Sequence, residues 1–171
     1  MGMFAGKVAL VTGGASGIGV PPSLRCAEEG AAAVDADINE AGAEAIADRI
    51  RTLGGRARAI RCDVSSAADN AAMVAAAKQD FGWLDAAFLN AGAYAQTGFD
   101  ESDAATFDSM IAINLKGAFL GLQAVVPALV PAALLRRATA VGSAGLQAAV
   151  IGGPAAAGGL FPAGIDWVYG T

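Results

Sequence analysis

A glycine-rich segment directly after a short apolar run is the feature that most constrains this chain. Residues 7–11 read Lys-Val-Ala-Leu-Val, which is typical of a strand buried on both faces of a parallel sheet. Residues 12–19 then read Thr-Gly-Gly-Ala-Ser-Gly-Ile-Gly. Between a strand and a helix, such a turn brings backbone N–H groups against a pyrophosphate. Glycine-rich turns also simply end strands, so the position of the turn is stronger evidence than its letters.

Each glycine of this turn has an expected task. Gly13 permits the tight turn, Gly17 permits close approach to a ligand, and Gly19 permits the helix to pack on the strand. Pro21 and Pro22 follow immediately. If the helix begins near Gly17, both prolines fall in its first turn, where proline is tolerated.

Strand and helix patterns then alternate along the chain. Further strand patterns occur at 31–36, 57–61, 84–89 and 138–142, and helical patterns at 40–53, 67–81 and 104–129. This alternation predicts a doubly wound α/β fold with a parallel sheet. We expect one domain over residues 1–171. Charges almost vanish after Arg137, so 131–171 is predicted to be an atypical Ala/Gly-rich tail that leaves the sheet incomplete on its C-terminal side.

Composition argues against several other classes of protein. The net charge is −5 and histidine is absent, which argues against a nucleic-acid partner. The cluster Arg56, Arg58 and Arg61 alternates along a strand and predicts a solvated face. We expect no membrane span, no secretory signal and a cytoplasmic location. Cys26 and Cys62 lack metal-site spacing, so no metal is expected.

An acidic residue ends the second predicted strand. Asp37 lies about twenty residues past the glycine turn, where a carboxylate accepts hydrogen bonds from the adenosine ribose and repels a 2′-phosphate. The residue therefore predicts NAD as cofactor. Alternatively, Asp37 only caps the helix that begins near Asn39. Asp35, an unexpected charge inside the same strand, has no functional explanation from the sequence.

The glycine motif resembles that of the short-chain dehydrogenases/reductases, Thr-Gly-x-x-x-Gly-x-Gly, and four further motifs of that family follow in order. They are Asp63-Val64, Asn90-Ala91-Gly92, Asn114 within Ile-Asn-Leu-Lys-Gly, and Gly142-Ser143. The resemblance implies a Rossmann-like domain that binds NAD through Gly13, Ser16, Gly17, Ile18, Gly19, Asp37, Ile38, Asp63, Val64, Asn90, Ala91 and Gly92. It also implies catalytic roles for Asn114, which orders a proton-relay water, and for Ser143.

Each of these matches has a purely structural alternative. Asp63 could cap the helix near Ser66, Asn90 could be a turn residue, and Asn114 could be a polar residue at a helix bend. Five matches in the expected order nevertheless favour the family for the cofactor-binding half.

The chain departs from this family at the catalytic base. The family uses a tyrosine whose pKa is lowered by a lysine four residues later. The only lysines here are Lys7, Lys78 and Lys116. By spacing from Ser143, the tyrosine would fall near Ala156 and the lysine near Leu160.

The two tyrosines that exist do not replace this pair. Tyr94 has Gly98 four residues later, and Tyr169 has no residue at that distance. Tyr94 is instead predicted to line the substrate side of the cleft. A natural non-catalytic remnant, a reading-frame change or deletion, and a part of a longer enzyme remain alternative explanations.

Three functions follow from these observations. The first is an NAD-dependent oxidoreductase that moves hydride between a small-molecule secondary alcohol and a ketone. The second, favoured by the missing Tyr and Lys, is a module that binds NAD without turnover. The third is a degenerate α/β protein with no ligand. The family resemblance implies homo-oligomers, whereas the substrate cannot be identified from these residues.

Overall fold

The computed structural model describes residues 2–95, 98, 100–129 and 148–151, and the last of these segments is described by its backbone only. The helices and strands, in chain order, are β1 Val8–Thr12, α1 Val20–Glu28, β2 Ala32–Asp37, α2 Glu40–Thr52, β3 Arg56–Arg61, α3 Ala67–Phe81, β4 Ala86–Leu89, α4 Ala104–Ile111, α5 Gly117–Leu129 and β5 Ala148–Ile151. A 3₁₀ turn, Gly17–Gly19, precedes α1. Pro21 and Pro22 lie in the first turn of α1, as predicted.

The sheet has the order β3-β2-β1-β4-β5. The pairs β1 with β2, β1 with β4, and β2 with β3 are all parallel. The predicted doubly wound α/β fold is thereby confirmed. Because the carboxyl ends of parallel strands meet at one edge of the sheet, the residues that follow β1 to β4 converge there.

Helices cover both faces of this sheet. The larger core joins Leu10, Val34 and Met73 to Val125 and Leu129 of α5. The opposite face is packed with small residues, Ala43, Ala47 and Ala59, which lie between α2 and β3. β1 is buried throughout, so the strand before the glycine turn is held rigidly from both sides.

The strand predicted at 138–142 lies outside the described residues. The strand β5, which was not predicted, pairs antiparallel with β4, with Leu89 opposite Ala148. The unpaired N–H and C=O groups along the edge of a sheet can bond to a parallel or an antiparallel strand. The packing on the two faces of the sheet does not determine this direction.

The helix predicted over 104–129 contains a break. α4 and α5 are joined by a π-helical turn, Ala112–Lys116, which inserts an extra residue and re-aims the side chains there. In the part of the chain that the structure describes, Ala104–Leu129 is the helical segment long and apolar enough to cross a membrane by length and composition. Core helices of soluble proteins meet the same criteria, and Val125 and Leu129 are buried against the sheet.

The arginines of β3 face α3 and solvent rather than a separate basic site. Arg58 pairs with Asp80 at 3.6 Å and Arg61 pairs with Asp69 at 3.2 Å. Arg56 lies over the Phe81 ring, 5.6 Å from its centroid. These contacts agree with the predicted solvated strand face.

Candidate functional site

Gly13 and Gly19 show why the backbone of the glycine-rich turn needs glycine. Gly13 has a φ of 69°, a left-handed conformation that costs residues with a Cβ. Its N–H donates to the Ala36 carbonyl oxygen at 2.8 Å, which fixes the turn to the end of β2. A Cβ at Gly19 would lie 1.9 Å from the Gly13 carbonyl oxygen. The helix can therefore begin this close to β1 only because Gly19 lacks a side chain.

Several amides of the turn are available to a ligand. The N–H of Ala15 donates to Asp37 and that of Gly19 donates to Ser16. Among the residues that the structure describes, the amides of Ser16, Gly17 and Ile18 donate to no protein acceptor. Unpaired N–H groups before a helix, together with the helix dipole, favour an anion at this point.

These amides open into a cleft of about 880 Å³ at the carboxyl edge of the sheet. Eleven of the twelve predicted cofactor residues and the predicted catalytic Asn114 line it. The lining residues are Gly13, Ser16, Gly17, Ile18, Asp37, Ile38, Asn39, Cys62, Asp63, Val64, Asn90, Ala91, Gly92, Ala93, Tyr94, Ile113 and Asn114. The twelfth predicted cofactor residue, Gly19, is buried behind the turn. Ser143 lies outside the described residues.

Asp37 accepts two backbone hydrogen bonds and also lines the cleft. Its Oδ1 accepts the N–H of Asn39 at 2.9 Å, and its Oδ2 accepts the N–H of Ala15 at 3.0 Å. The residue therefore fixes both the entry to α2 and the glycine turn. Each carboxylate oxygen has a further lone pair, and the side chain lines the cleft, so Asp37 keeps capacity to accept ribose hydroxyls.

Asp63 is held by its own turn rather than by the cap of α3. Its Oδ1 accepts the N–H of Ser65 at 2.9 Å and the Ser65 hydroxyl at 2.7 Å. Ser66 supplies the helix cap by accepting from the N–H of Asp69 at 3.2 Å. Neighbouring Cys62 is buried, and burial raises the pKa of its thiol to about 12, so this cysteine is not a nucleophile at neutral pH.

The Asn-Ala-Gly turn after β4 is tied to the end of β1. The N–H groups of Asn90 and Ala91 donate to Thr12 Oγ1 at 3.0 and 3.1 Å. The Asn90 side chain donates to the Thr12 carbonyl oxygen at 3.2 Å. These bonds hold the two turns at a fixed separation across the cleft floor.

Asn114 fixes the next part of the same loop. Its Oδ1 accepts the N–H of Ala93 at 2.8 Å and its Nδ2 donates to the Ala93 carbonyl oxygen at 2.7 Å. The π-helical turn directs the side chain out of the helix to reach this backbone. One lone pair and one amide hydrogen remain, so the predicted role of holding a relay water stays open beside the structural one.

Sequence reasoning gave no site role to four residues that line the cleft: Asn39, Cys62, Ala93 and Ile113. Asn39 caps α2 by accepting the N–H of Gly42 at 3.1 Å, and an Asn before a helical pattern signals such a cap. Thr12 opens the glycine motif, but its contacts join residues far apart in the chain. No local pattern reveals them.

The charge and polarity of the lining select among ligands. Asp37 and Asp63 are its carboxylates, and the described lining residues include no lysine or arginine. Ile18 and Ile38 are 69% and 63% exposed, so apolar surface stands at the rim. Tyr94, 78% exposed, also lines the cleft. The described residues contain no cluster of His, Cys, Asp or Glu suited to a metal ion.

This donor set fits a dinucleotide. The free amides suit a pyrophosphate, the Asp37 carboxylate suits ribose hydroxyls, and the exposed isoleucines suit flat heterocyclic rings. A 2′-phosphate would meet Asp37 and find no cation among the described lining residues.

Comparison with known proteins gives the same family for the chain. The family model described as "short chain dehydrogenase" matches residues 7–143. A 2,5-dichloro-2,5-cyclohexadiene-1,4-diol dehydrogenase of Sphingobium indicum is 44% identical over 127 residues, which are 74% of this chain and 51% of the relative. A D-threitol dehydrogenase of Mycolicibacterium smegmatis is 42% identical over 120 residues, 70% of this chain and 46% of the relative. A cyclohexanol dehydrogenase of Acinetobacter sp. is 35% identical over 148 residues, 84% of this chain and 59% of the relative.

Solved structures include a similar fold. The crystal structure of a short-chain type dehydrogenase/reductase from Mycobacterium marinum superposes with a TM-score of 0.70 at 33% identity. The match covers 73% of this chain and 51% of that one. The chain thus spans about half the length of the relatives that it matches. Because the family model matches residues 7–143, which include β1 to β4 and the whole cleft, the chain belongs to the short-chain dehydrogenase family.

Proposed function

We propose that the cleft binds NAD and that the protein to which these residues belong transfers hydride between a secondary alcohol and a ketone. The observation that carries this proposal is the convergence of the unpaired amides of Ser16, Gly17 and Ile18 with the Asp37 carboxylate in one cleft. A pyrophosphate and an adenosine ribose need these two kinds of group, and the two lie on adjacent strand ends.

Each part of the cleft has an assigned task in this proposal. The glycine turn holds the pyrophosphate, and Asp37 with Ile38 holds the adenosine ribose. Asp63 and Val64 meet the adenine, and Asn90 to Gly92 support the nicotinamide side. When bound, NAD accepts or releases the hydride. Asn114 keeps the loop at Ala93 in place and has the remaining hydrogen-bonding capacity to hold a water there.

The relatives support a small alcohol as the substrate class. Their names specify a cyclic diol, D-threitol and cyclohexanol. We propose a substrate of this class for the protein to which these residues belong. The exposed ring of Tyr94 lies on the cleft side where we expect this substrate.

A second function, NAD binding without turnover, is favoured because this chain lacks the catalytic Tyr and Lys. No lysine follows Lys116, so no Tyr-x-x-x-Lys segment is available to take the proton and hold the nicotinamide ribose. For the 171 residues alone, we infer binding with little turnover. Nothing in the cleft favours the third possibility of a site with no ligand.

Isothermal titration of the 171-residue chain with NAD, NADP and ADP-ribose tests the proposal. We expect NAD and ADP-ribose to bind and NADP to bind more weakly, because the contacts proposed for the pyrophosphate and adenosine lie in the described half. Equal or tighter binding of NADP contradicts the assignment of Asp37. Absence of binding by all three contradicts the assignment of the cleft.

A further inference from the structure

A carboxyl group lies buried directly beneath the glycine-rich turn. Asp35, in β2, has no solvent exposure, and its Oδ1 lies 2.8 Å from the position of a Cβ built on Gly14. The carboxyl group therefore packs against the backbone of the turn. A charge at this position in a buried strand is costly unless it is paired or neutralised.

Ser23, on α1, links this carboxyl to the start of the helix. Its Oγ lies within hydrogen-bond distance of Asp35 Oδ1 and 3.2 Å from the Gly19 carbonyl oxygen. A serine hydroxyl has one proton, so it cannot donate a full hydrogen bond to both acceptors. A protonated Asp35 removes the conflict, because its O–H then donates to Ser23 Oγ while the Ser23 hydroxyl donates to Gly19.

Ionised Asp35 has no comparable arrangement. The Ser23 proton would then be drawn to Asp35, and the Gly19 carbonyl oxygen would lose this donor. Asp35 Oδ2 is buried and has no hydrogen-bond partner in the described part of the chain. Burial raises the pKa of Asp35 to about 6, against the smaller opposing effect of the Ser23 hydrogen bond.

Few other groups near Asp35 titrate. The thiol of Cys26 on α1 is close enough for Asp35 to raise its pKa, after burial as the larger cause. Asp37 lies two residues further along the same face of β2. The neighbours on the adjacent strands are Val11 and Ala59, and α2 contributes the buried Ala43 and Ala47 to this layer. The chain has no histidine, the side chain that usually titrates near neutral pH.

We propose that Asp35 is a positioning residue for the cofactor turn: in its neutral form it holds Gly19 through Ser23, and its ionisation weakens NAD binding. This inference rests on the proposed function. Ionisation has two effects in the same direction. It withdraws a hydrogen bond from the start of α1, and it places negative charge under the amides that face the pyrophosphate.

The affinity for NAD measured against pH tests this proposal. From about pH 5 to pH 8 we expect the Kd of the unmodified chain to rise about tenfold, a usual size for coupling between two sites. Asp35→Asn keeps an N–H donor for Ser23 and cannot ionise, so its Kd is expected to stay low and flat. Asp85→Asn is the matched control. Asp85 is also buried, but it binds Lys7 and the Val8 N–H at the other end of the sheet, and this variant should retain the pH profile.

The outcomes separate this inference from the proposed function. NAD binding with a flat profile in the unmodified chain, or an unchanged profile in Asp35→Asn, overturns the role of Asp35 alone. A profile flattened equally by Asp85→Asn also overturns it. No NAD binding at any pH overturns the proposed function and this inference with it.

A second measurement needs no variant and covers the case in which Asp35→Asn fails to fold. The ¹³C shift of the Asp35 carboxyl reports its ionisation directly, with and without saturating NAD. We expect NAD to raise the pH of the titration midpoint by about one unit, since linkage requires the tenfold effect in both directions. An unchanged or lowered midpoint overturns the proposal.

Discussion

Asn114 and Ala93 are joined by a pair of hydrogen bonds that uses both ends of the asparagine amide. The N–H of Ala93 donates to Oδ1 at 2.8 Å, and Nδ2 donates to the Ala93 carbonyl oxygen at 2.7 Å. One side chain on the helical segment thus satisfies both backbone groups of a loop residue at the cleft. Asn114 therefore has a structural role in addition to the catalytic role predicted for it.

Asn114→Ala should therefore destabilise the fold. Two partly buried backbone groups would lose their partners, which typically costs about 1–3 kcal/mol. Urea unfolding at neutral pH measures the effect. Gln123→Ala is the matched control, because Gln123 is an exposed amide on the following helix and should shift stability by no more than about 0.5 kcal/mol. Equal stability of the two variants would contradict the assigned contact.

Asn114→Asp tests the direction of the same bonds. A carboxylate still accepts the Ala93 N–H, but it cannot donate to the Ala93 carbonyl oxygen and faces it with like charge. We expect this variant to be less stable than the unmodified chain at neutral pH. Part of the loss should be recovered in acid, where the protonated carboxyl again has a donor. A loss independent of pH would indicate that the Nδ2 bond contributes little.

Asp37→Asn should reduce the preference for NAD over NADP. The amide keeps one oxygen for the turn but removes the charge that opposes a 2′-phosphate. We expect the Kd for NADP divided by the Kd for NAD to fall by about tenfold or more. A change of this size is within the range of one charge interaction near a protein surface. Calorimetric titration with both cofactors measures the ratio.

Glu40→Gln is the control for Asp37→Asn. Glu40 is an exposed carboxylate in the first turn of α2 and is not among the residues that line the cleft. Its variant should retain the original ratio. If both variants lower the ratio equally, general electrostatics and not Asp37 determines the preference.

Ionisation of Asp35 should lower the free energy of unfolding as the pH rises. Its pKa is raised from 3.8 to about 6 in the folded chain, so the folded state keeps its proton where the unfolded state loses it. Its contribution is full below about pH 4 and is lost as the pH rises through about 6. The change corresponds to about 3 kcal/mol.

Comparison with Asp35→Asn isolates this contribution. Hydrogen bonds lower the pKa of Asp69 and Asp103, so those carboxyls add stability above their usual pKa and lose it in acid, the opposite direction. Both occur in the variant as well. The unfolding free energy of the unmodified chain minus that of Asp35→Asn should therefore fall between about pH 4 and pH 7. A difference that is constant with pH would exclude a raised pKa.

The fold was predictable where local pattern and buried position agree. The run from Val8 to Val11 is apolar because β1 is covered on both faces, and the glycines after it are needed for the turn. The β-strand at Ala148–Ile151 was missed, since the sequence there has no strand periodicity distinct from its Ala- and Gly-rich surroundings. A bend at Asn114 was one alternative that the sequence left open. Its π-helical form was not predicted, because a single extra residue in one turn is difficult to recognise in the apolar pattern of a long helix.

The site was predictable in its residues but not in its contacts. Asp63 and Asn90 were identified by motif, yet their partners follow from the fold: Asn90 bonds to Thr12, 78 residues away. Asp35 was visible only as an anomalous charge. Its explanation needed Ser23 and Gly14, which local periodicity does not connect with it.

The 171-residue chain should turn over alcohols slowly even where it binds NAD. With no lysine after Lys116, the base that should take the alcohol proton is missing, and loss of a positioned base typically lowers the rate about 10²–10⁴-fold. The lysine that orients the nicotinamide ribose is missing too, which adds a loss of positioning. NAD affinity should fall much less, because the proposed pyrophosphate and adenosine contacts lie in the described cleft. NADH formation with cyclohexanol and D-threitol, measured beside NAD binding on the same sample, separates the two quantities. Intact-mass measurement first establishes that the sample contains these 171 residues and no more. If such a sample binds NAD and reduces it at the rate of a complete dehydrogenase assayed in parallel, another group acts as base, and Ser143 and Tyr94 are the first to substitute.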